Sequence, residues 1–413
     1  MVSNSVIEVN TLLFLLPKFV LLIYKHKKYI EMKNFTFYNP TRIEFGKGKE
    51  ENIGQYISEY GLKKVLIVYG SERIKKSGLF DKVTKSLNNK GISYEELGGI
   101  VSNPELGKVY EGIELAKTAK VDAVLGIGGA SVLDSSKAIA AGAVYDGDVW
   151  DFFTFKAVPD TALKIFSIMT LAASGSEMNN YAVVTKEDDK AKLNLAGLAT
   201  FPTVSLINPE LQATVTKEYL AYSTADIFAH SLDMYLTATY LPEYIAGYVE
   251  NILKTVIRTT EILLKDETNY EARGEFAWAA TQALNFTTFC GIENNRFDTH
   301  IIEHTLSAEY KIAHGAGLSI VVPAWMKWQK NLLPERFERF AKNMFGVEGA
   351  DAGIEALKQW YTKIGAPVTL KEGNIPEKDV PMLVEKLFAI ATMMGAEALY
   401  SKEMLTTVFE NAK

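Results

Sequence analysis

Apolar and polar residues alternate in two different ways along this chain. From about residue 36 to 210, short apolar runs are separated by amphipathic stretches. "KVLIVYG" (64–70) is β-branched, apolar and closed by glycine, as a strand buried on both faces should be. "LFDKVTKSLNNKG" (79–91) follows with helical spacing, then "ISYEEL" (92–97) and a turn at Asn103-Pro104. The helical "KVYEGIELAKTAK" (108–120) leads to a second buried strand, "DAVLGIG" (122–128). "KIFSIMT" (164–170) and "TVSLINP" (203–209) read as further strands. Strand and helix in alternation predict a parallel sheet covered by helices.

Beyond about residue 211 the strand pattern ends. "TKEYLAYSTADIFAHSLDMYLTATY" (216–240) and "YVENILKTVIRTTEILLKD" (248–266) place apolar residues at i, i+3 and i+4 over long spans. A helical bundle is predicted, with breaks near Pro242, Gly315 and Pro334. The boundary falls between 205 and 215, giving units of 32–210 and 211–413.

At 413 residues, 48% apolar and 23% charged, the chain has room for two cores and no low-complexity tract. A formal charge of −6 argues against a nucleic-acid surface, which needs clustered Lys and Arg. A single cysteine, Cys290, excludes an internal disulfide and fits a reducing, cytoplasmic setting. The apolar run "LLFLLPKFVLLIY" (12–24) is short for a bilayer and is interrupted by Pro17 and Lys18. No basic residue precedes it, so it is a poor secretory signal. Residues 1–31 are expected to be an upstream extension, at most a weak membrane contact, with no stable insertion.

Two clusters carry candidate chemistry. In "DAVLGIGGASVLDSSKAIAAGA" (122–143) glycines between strand and helix let the backbone approach a ligand. Ser131 is placed to cap the helix, whose free N–H groups attract an anion such as pyrophosphate. Ordinary turn chemistry would produce the same glycines. "TLAASGSEM" (170–178) adds small hydroxyl residues after another strand. The second cluster is histidine. Of five in the chain, four lie in residues 230–314. Asp226 and His230 are four apart, as are His300 and His304, so each pair shares a helix face. His314 lies ten residues further on, beside "HGAG". Unpaired burial of these groups would cost about 1–3 kcal/mol each, which a metal removes. Mixed imidazole and carboxylate donors suit Fe²⁺, Zn²⁺, Co²⁺ or Ni²⁺ over Ca²⁺ or Mg²⁺. Spacing alone does not say which of His300, His304 and His314 are ligands, and it favours the adjacent pair, His300 and His304.

"FYNPTRIEFGKG", "GIGGASVLDSSKAIA", "YDGDVWDFF", "TLAASGSEMN", "DIFAHSLDMY" and "HIIEHTLSAEYKIAHGAG" occur in order from Met32 to the C-terminus. Together they resemble the iron-containing (group III) alcohol dehydrogenases, most closely the butanol dehydrogenase-like branch. The resemblance implies a Rossmann-like α/β dinucleotide-binding domain followed by an all-α metal-binding domain. It implies Fe²⁺, or Zn²⁺, on Asp226, His230, His300 and His314, with His304 as a cleft residue that relays a proton or orients substrate. The cofactor residues implied are Gly70, Ser71, Arg73, Asn103, Gly128, Gly129, Ala130, Ser131, Asp134, Thr170, Leu171, Ser174, Ser176 and Lys192. A homo-oligomer and an alcohol or aldehyde substrate such as butanol or butanal are also implied.

There are departures. Ala130 stands where the family has a third glycine. Gly70 stands at the end of the second strand, where NAD-preferring members carry an acidic residue. Without that carboxylate a 2′-phosphate meets less repulsion, which favours NADP(H); Glu72 is the counter-argument. Trp150, Phe152 and Phe153 are either an apolar substrate wall or core. Rival functions are a glycerol dehydrogenase-like enzyme, a metal-dependent hydrolase on the same ligands, and a non-catalytic nucleotide sensor.

Overall fold

The computed structural model describes residues 31–413. The extension expected over 1–31 lies outside them except for Glu31. The chain opens with an extended arm and strand β1 (Arg42–Phe45), then α1 (Ile53–Ser58) and β2 (Lys64–Tyr69). A short α2 (Arg73–Lys76) and α3 (Leu79–Asn88) lead to β3 (Ser93–Leu97). Next come α4 (Leu106–Ala119), β4 (Ala123–Gly128), α5 (Ala130–Gly142), a single turn α6 (Trp150–Phe153) and β5 (Lys164–Met169). A hairpin, β6 (Tyr181–Lys186) and β7 (Ala191–Ala196), precedes the last strand of the sheet, β8 (Val204–Ile207).

The six-stranded sheet has the order β1-β8-β5-β4-β2-β3, with every neighbouring pair parallel. Its central strands are apolar throughout because helices cover both faces; Val65, Leu66, Ile67 and Val68 of β2 are all buried. Burial of each such side chain contributes roughly 1.5–3 kcal/mol. The order reverses between β2 and β4. Their carboxyl ends therefore flank a crevice, the usual ligand position in a doubly wound sheet. The antiparallel hairpin was not legible in the sequence pattern, since "YAVVTKEDDKAKLNLA" (181–196) carries a charged turn and only weak alternation.

Nine helices follow, the first being α7 (Lys217–Thr237), capped by Thr216, whose side chain accepts the Tyr219 N–H at 3.2 Å. α8 (Glu243–Leu263) starts after Pro242, and α9 (Tyr270–Ala283) is capped by Asn269. α10 (Asp298–Tyr310), α11 (His314–Gln329), α12 (Pro334–Phe340), α13 (Ala350–Ile364), α14 (Val380–Met393) and α15 (Lys402–Asn411) complete the chain. α7 and α11 are buried along nearly their whole length and pack on each other at the centre of the bundle. That explains their weak amphipathicity: a helix buried all round has no polar face. The core of this half reaches the sheet half through Leu133 of α5, Met169 of β5 and Ile207 of β8. The predicted break near Gly315 falls a little earlier, with Lys311 in the left-handed region (φ 52°) ending α10.

Candidate functional site

A cleft of about 1130 Å³ lies between the carboxyl ends of the strands and the helical half. It is lined by every residue named above for cofactor, metal and relay. Gly70 follows β2 and faces the cleft. Ser71 and Arg73 follow on the same wall, with the Arg73 guanidinium donating to the Thr214 carbonyl. Glu72 does not line it; its carboxylate accepts the Tyr69 hydroxyl (3.3 Å) and lies 3.6 Å from Lys75.

At the glycine turn the structure corrects one expectation. Gly129, not Ser131, is the N-cap of α5, and no side chain caps it. Ser131 lies inside the first turn. The first-turn N–H groups are consequently left for a ligand and not satisfied by a hydroxyl. Gly128 is required by packing: a Cβ there would strike the Val132 side chain. Thr170 and Leu171 follow β5, with the Thr170 N–H on the Gly128 carbonyl (3.0 Å).

The segment with Ser174 and Ser176 is held by a residue that the sequence reading passed over. Lys137, fully buried on α5, donates to Ser176 Oγ (2.8 Å), Asn179 Oδ1 (3.2 Å) and the Tyr181 carbonyl (2.7 Å). Asp134, one turn earlier, accepts Ser176 Oγ (2.8 Å) and the Val183 N–H (3.0 Å). Burial lowers the Lys137 ammonium to about 8 against the opposing pull of Asp134 and Glu177. An Asp-x-x-Lys pair on one helix face was the available signal. Nothing local showed that Lys137 faces inward.

Asp226 and His230 project from α7, His300 and His304 from α10, and His314 begins α11. Asp226 Oδ1 lies 3.5 Å from His230 Nδ1, 3.7 Å from His300 Nε2 and 3.8 Å from His314 Nε2. Ligands about 2.0–2.2 Å from a tetrahedral metal stand roughly 3.3–3.6 Å apart. The observed separations fall within a few tenths of an ångström of that range. Asp226 Oδ1, His230 Nδ1 and His300 Nε2 are buried without any hydrogen-bond partner, a costly arrangement that a divalent cation resolves. Burial drives the His230 imidazole down to about 3, which leaves it neutral as a ligand must be. Burial also lowers His300, but the neighbouring carboxylates of Asp226 and Asp233 outweigh it and lift the ring to about 9.

Glu303, His304 and His314 form a second cluster with metal-ligand spacing. It already holds a cation. Lys192 Nζ lies 3.3 Å from His314 Nδ1 and 3.6 Å from Glu303 Oε2, and a fixed ammonium there repels a metal. Lys192 is buried on β7, not a surface lysine. The His304 ring lies beside Lys192; burial and the neighbouring Lys192 charge hold it well below its ordinary value.

Trp150, Phe152 and Phe153 do not line the cleft. Phe152 and Phe153 are core residues under β7, with Trp150 stacked on Phe153 at 5.0 Å between ring centres. The apolar wall beside the histidines comes instead from Leu284, Phe297, Ile301, Ile390, Met394 and Leu399. These residues come from separate helices and loops, which is why no motif announced them.

A glycine turn at the switch point of a parallel sheet, facing an Asp/His₃ cluster across one cleft, defines a nicotinamide-linked, metal-dependent oxidoreductase. The iron-containing alcohol dehydrogenase family matches residues 40–209, and the C-terminal part of the Fe-containing alcohol dehydrogenase family matches 220–412. The NADH-dependent butanol dehydrogenase A of Clostridium acetobutylicum is 36% identical, covering 86% of this chain and 93% of that protein. The NADPH-dependent aldehyde reductase YqhD of Escherichia coli is 31% identical over 86% of this chain and 93% of that protein. Among solved structures, an NADH-dependent butanol dehydrogenase A from Thermotoga maritima superposes with a TM-score of 0.90 at 44% identity, covering 92% of this chain and 99% of that one. The chain belongs to the iron-containing alcohol dehydrogenase family, in its butanol dehydrogenase-like branch. It is an oxidoreductase that links alcohols and aldehydes to a nicotinamide cofactor.

Proposed function

We propose that this enzyme interconverts short- to medium-chain primary alcohols and aldehydes, such as butanol and butanal, at a metal held by Asp226, His230, His300 and His314. The observation that carries the reading is the convergence of three unpartnered buried atoms on one point of the cleft. Fe²⁺ is the ion proposed, with Zn²⁺ as the alternative that the same donors accept. The metal supplies Lewis acidity to the substrate oxygen, and the nicotinamide carries the hydride. The working units are taken as 32–210 for cofactor and 211–413 for metal.

The chain's own residues do the rest. The first turn of α5 and the serines held by Lys137 and Asp134 bind the cofactor phosphates and orient the ring. His304, one turn from His300, orients substrate and passes its proton toward solvent; a neutral imidazole suits that role. Phe297, Ile301 and Leu284 exclude water and receive the alkyl chain. NADP(H) is the preferred cofactor in this reading. Support comes from Gly70, which offers no carboxylate to a ribose 2′-OH, and from Glu72, which points away from the cleft. Relatives named for NADH and for NADPH both exist in the family.

Exposed Phe35, Phe37 and Tyr38 on the N-terminal arm support assembly into a homo-oligomer, and the single cysteine supports a cytoplasmic setting. No described helix is long and apolar enough to cross a membrane. The deciding experiment follows NADPH oxidation with butanal, before and after chelation. Loss on chelation with recovery on Fe²⁺ or Zn²⁺ is expected. Undiminished turnover in fully metal-free protein would overturn the reading, and a panel including glycerol tests the substrate class.

A further inference from the structure

We propose that Glu303 is the positioning residue for His314, and that Lys192 ties this pair to the cofactor half. The proposal rests on the ligand set given above. Glu303 is fully buried on α10, one turn after His300. Its carboxylate accepts a hydrogen bond from His314 Nδ1 and another from Ser307 Oγ. With Nδ1 so engaged, Nε2 of His314 is the nitrogen turned toward Asp226, 3.8 Å away.

The same device recurs at His300. Its Nδ1 lies 2.8 Å from Oδ2 of the fully buried Asp233, which also accepts the Thr299 N–H (3.1 Å) and hydroxyl (2.9 Å). Thus two of the three imidazoles are each backed by a buried carboxylate that selects the ring nitrogen presented to the metal. Such partners typically change metal affinity 10- to 100-fold when removed.

Space has been kept for Glu303. A Cβ on Gly317, one turn into α11, would strike its carboxylate, although the backbone there does not require glycine. Charge has been provided as well. Lys192 Nζ stands 3.6 Å from Glu303 and donates to Asn103 Oδ1 at 2.9 Å. Asn103 lines the cleft and donates in turn to the Ile312 carbonyl (3.0 Å), two residues before His314. Among the described residues Asp233 has no such link, so His314 is the ligand whose orientation depends on both halves.

The test uses the full-length protein, stripped of metal and titrated with Zn²⁺ by calorimetry and with Co²⁺ by its visible absorption, and measures NADPH affinity separately. Glu303→Gln is expected to weaken metal binding about 10- to 100-fold and to alter the Co²⁺ spectrum, with NADPH affinity changed less than about twofold. Gly317→Ala, which favours helix and places a methyl against the carboxylate, should weaken metal binding in the same direction and serves if Glu303→Gln does not fold. Wild-type metal affinity in either folded variant overturns the proposal. Asp226→Ala separates it from the reading beneath: abolished binding there with wild-type binding in Glu303→Gln refutes only the role of Glu303. Undiminished metal binding by Asp226→Ala refutes the ligand set itself.

Discussion

His300 and Asp233 meet at 2.8 Å, Nδ1 to Oδ2, and that contact decides which ring nitrogen of His300 faces Asp226. It turns a helix-surface histidine into a directed donor.

If Asp226 Oδ1 is the hub of the cluster, Asp226→Ala and His314→Ala should each lose metal and activity together. Elemental analysis of purified variants should find metal well below stoichiometric, with kcat/KM down by more than about 100-fold. Stoichiometric metal in either variant contradicts the assignment.

His304→Ala should separate metal from rate. The ring belongs to the cluster occupied by Lys192, so metal content should match wild type while kcat falls by about 10²- to 10⁴-fold, the range for a lost acid–base group. Metal loss in this variant would make His304 a ligand.

Cofactor choice is testable at Gly70. A Cβ there comes within 3.2 Å of the Ile100 backbone carbonyl, a tight contact that needs a shift of a few tenths of an ångström. Gly70→Asp should shift the NADPH-to-NADH ratio of kcat/KM toward NADH by about tenfold or more, through repulsion of the 2′-phosphate. Gly70→Ser controls for crowding. An unchanged ratio in Gly70→Asp would remove the argument for NADP(H).

Lys137 connects stability to pH. Its ammonium titrates near 8 in the fold and near 10.5 when exposed. Between these values the unfolded chain holds more protons, so stability rises with pH. The burial cost is fully present below pH 8 and is relieved toward 10.5, by about 3 kcal/mol over the whole window. Denaturant midpoints at pH 7.5 and 9.5 should converge on, or overtake, those of Lys137→Met as pH rises. A pH-independent difference between the two proteins would show that Lys137 stays charged.

The glycine turn, the strand and helix periodicities and the Asp226/His230 and His300/His304 pairs were all legible, because each is a local pattern of a few residues. Asp233 and Glu303 were partly so: each lies one helical turn from a histidine of the Asp226 cluster, His230 and His300 respectively. Their function was hidden because spacing places a carboxylate on a face without saying what stands opposite. Lys192 was named only through the family resemblance, and Lys137 was hidden more deeply. A lysine in sequence reads as solvated, and only packing shows that one is enclosed by Asn103 and Glu303 and the other by Ser176 and Asn179. The aromatic run at Trp150–Phe153 illustrates the converse, since an apolar residue serves a core and a substrate wall equally well.

By itself the sequence determined most of the secondary elements, the β6–β7 hairpin excepted, the division into a sheet half and a helical half, and the residue types available for phosphate and metal. Those properties follow from backbone periodicity and side-chain chemistry, which act over one or two turns. Only the tertiary structure decided that His314 joins Asp226 while His304 lies beside Lys192, and that Glu303 and Asp233 stand behind His314 and His300. Such choices depend on where α7, α10, α11 and β7 meet, and the energy of a buried charge is set by partners that are remote along the chain.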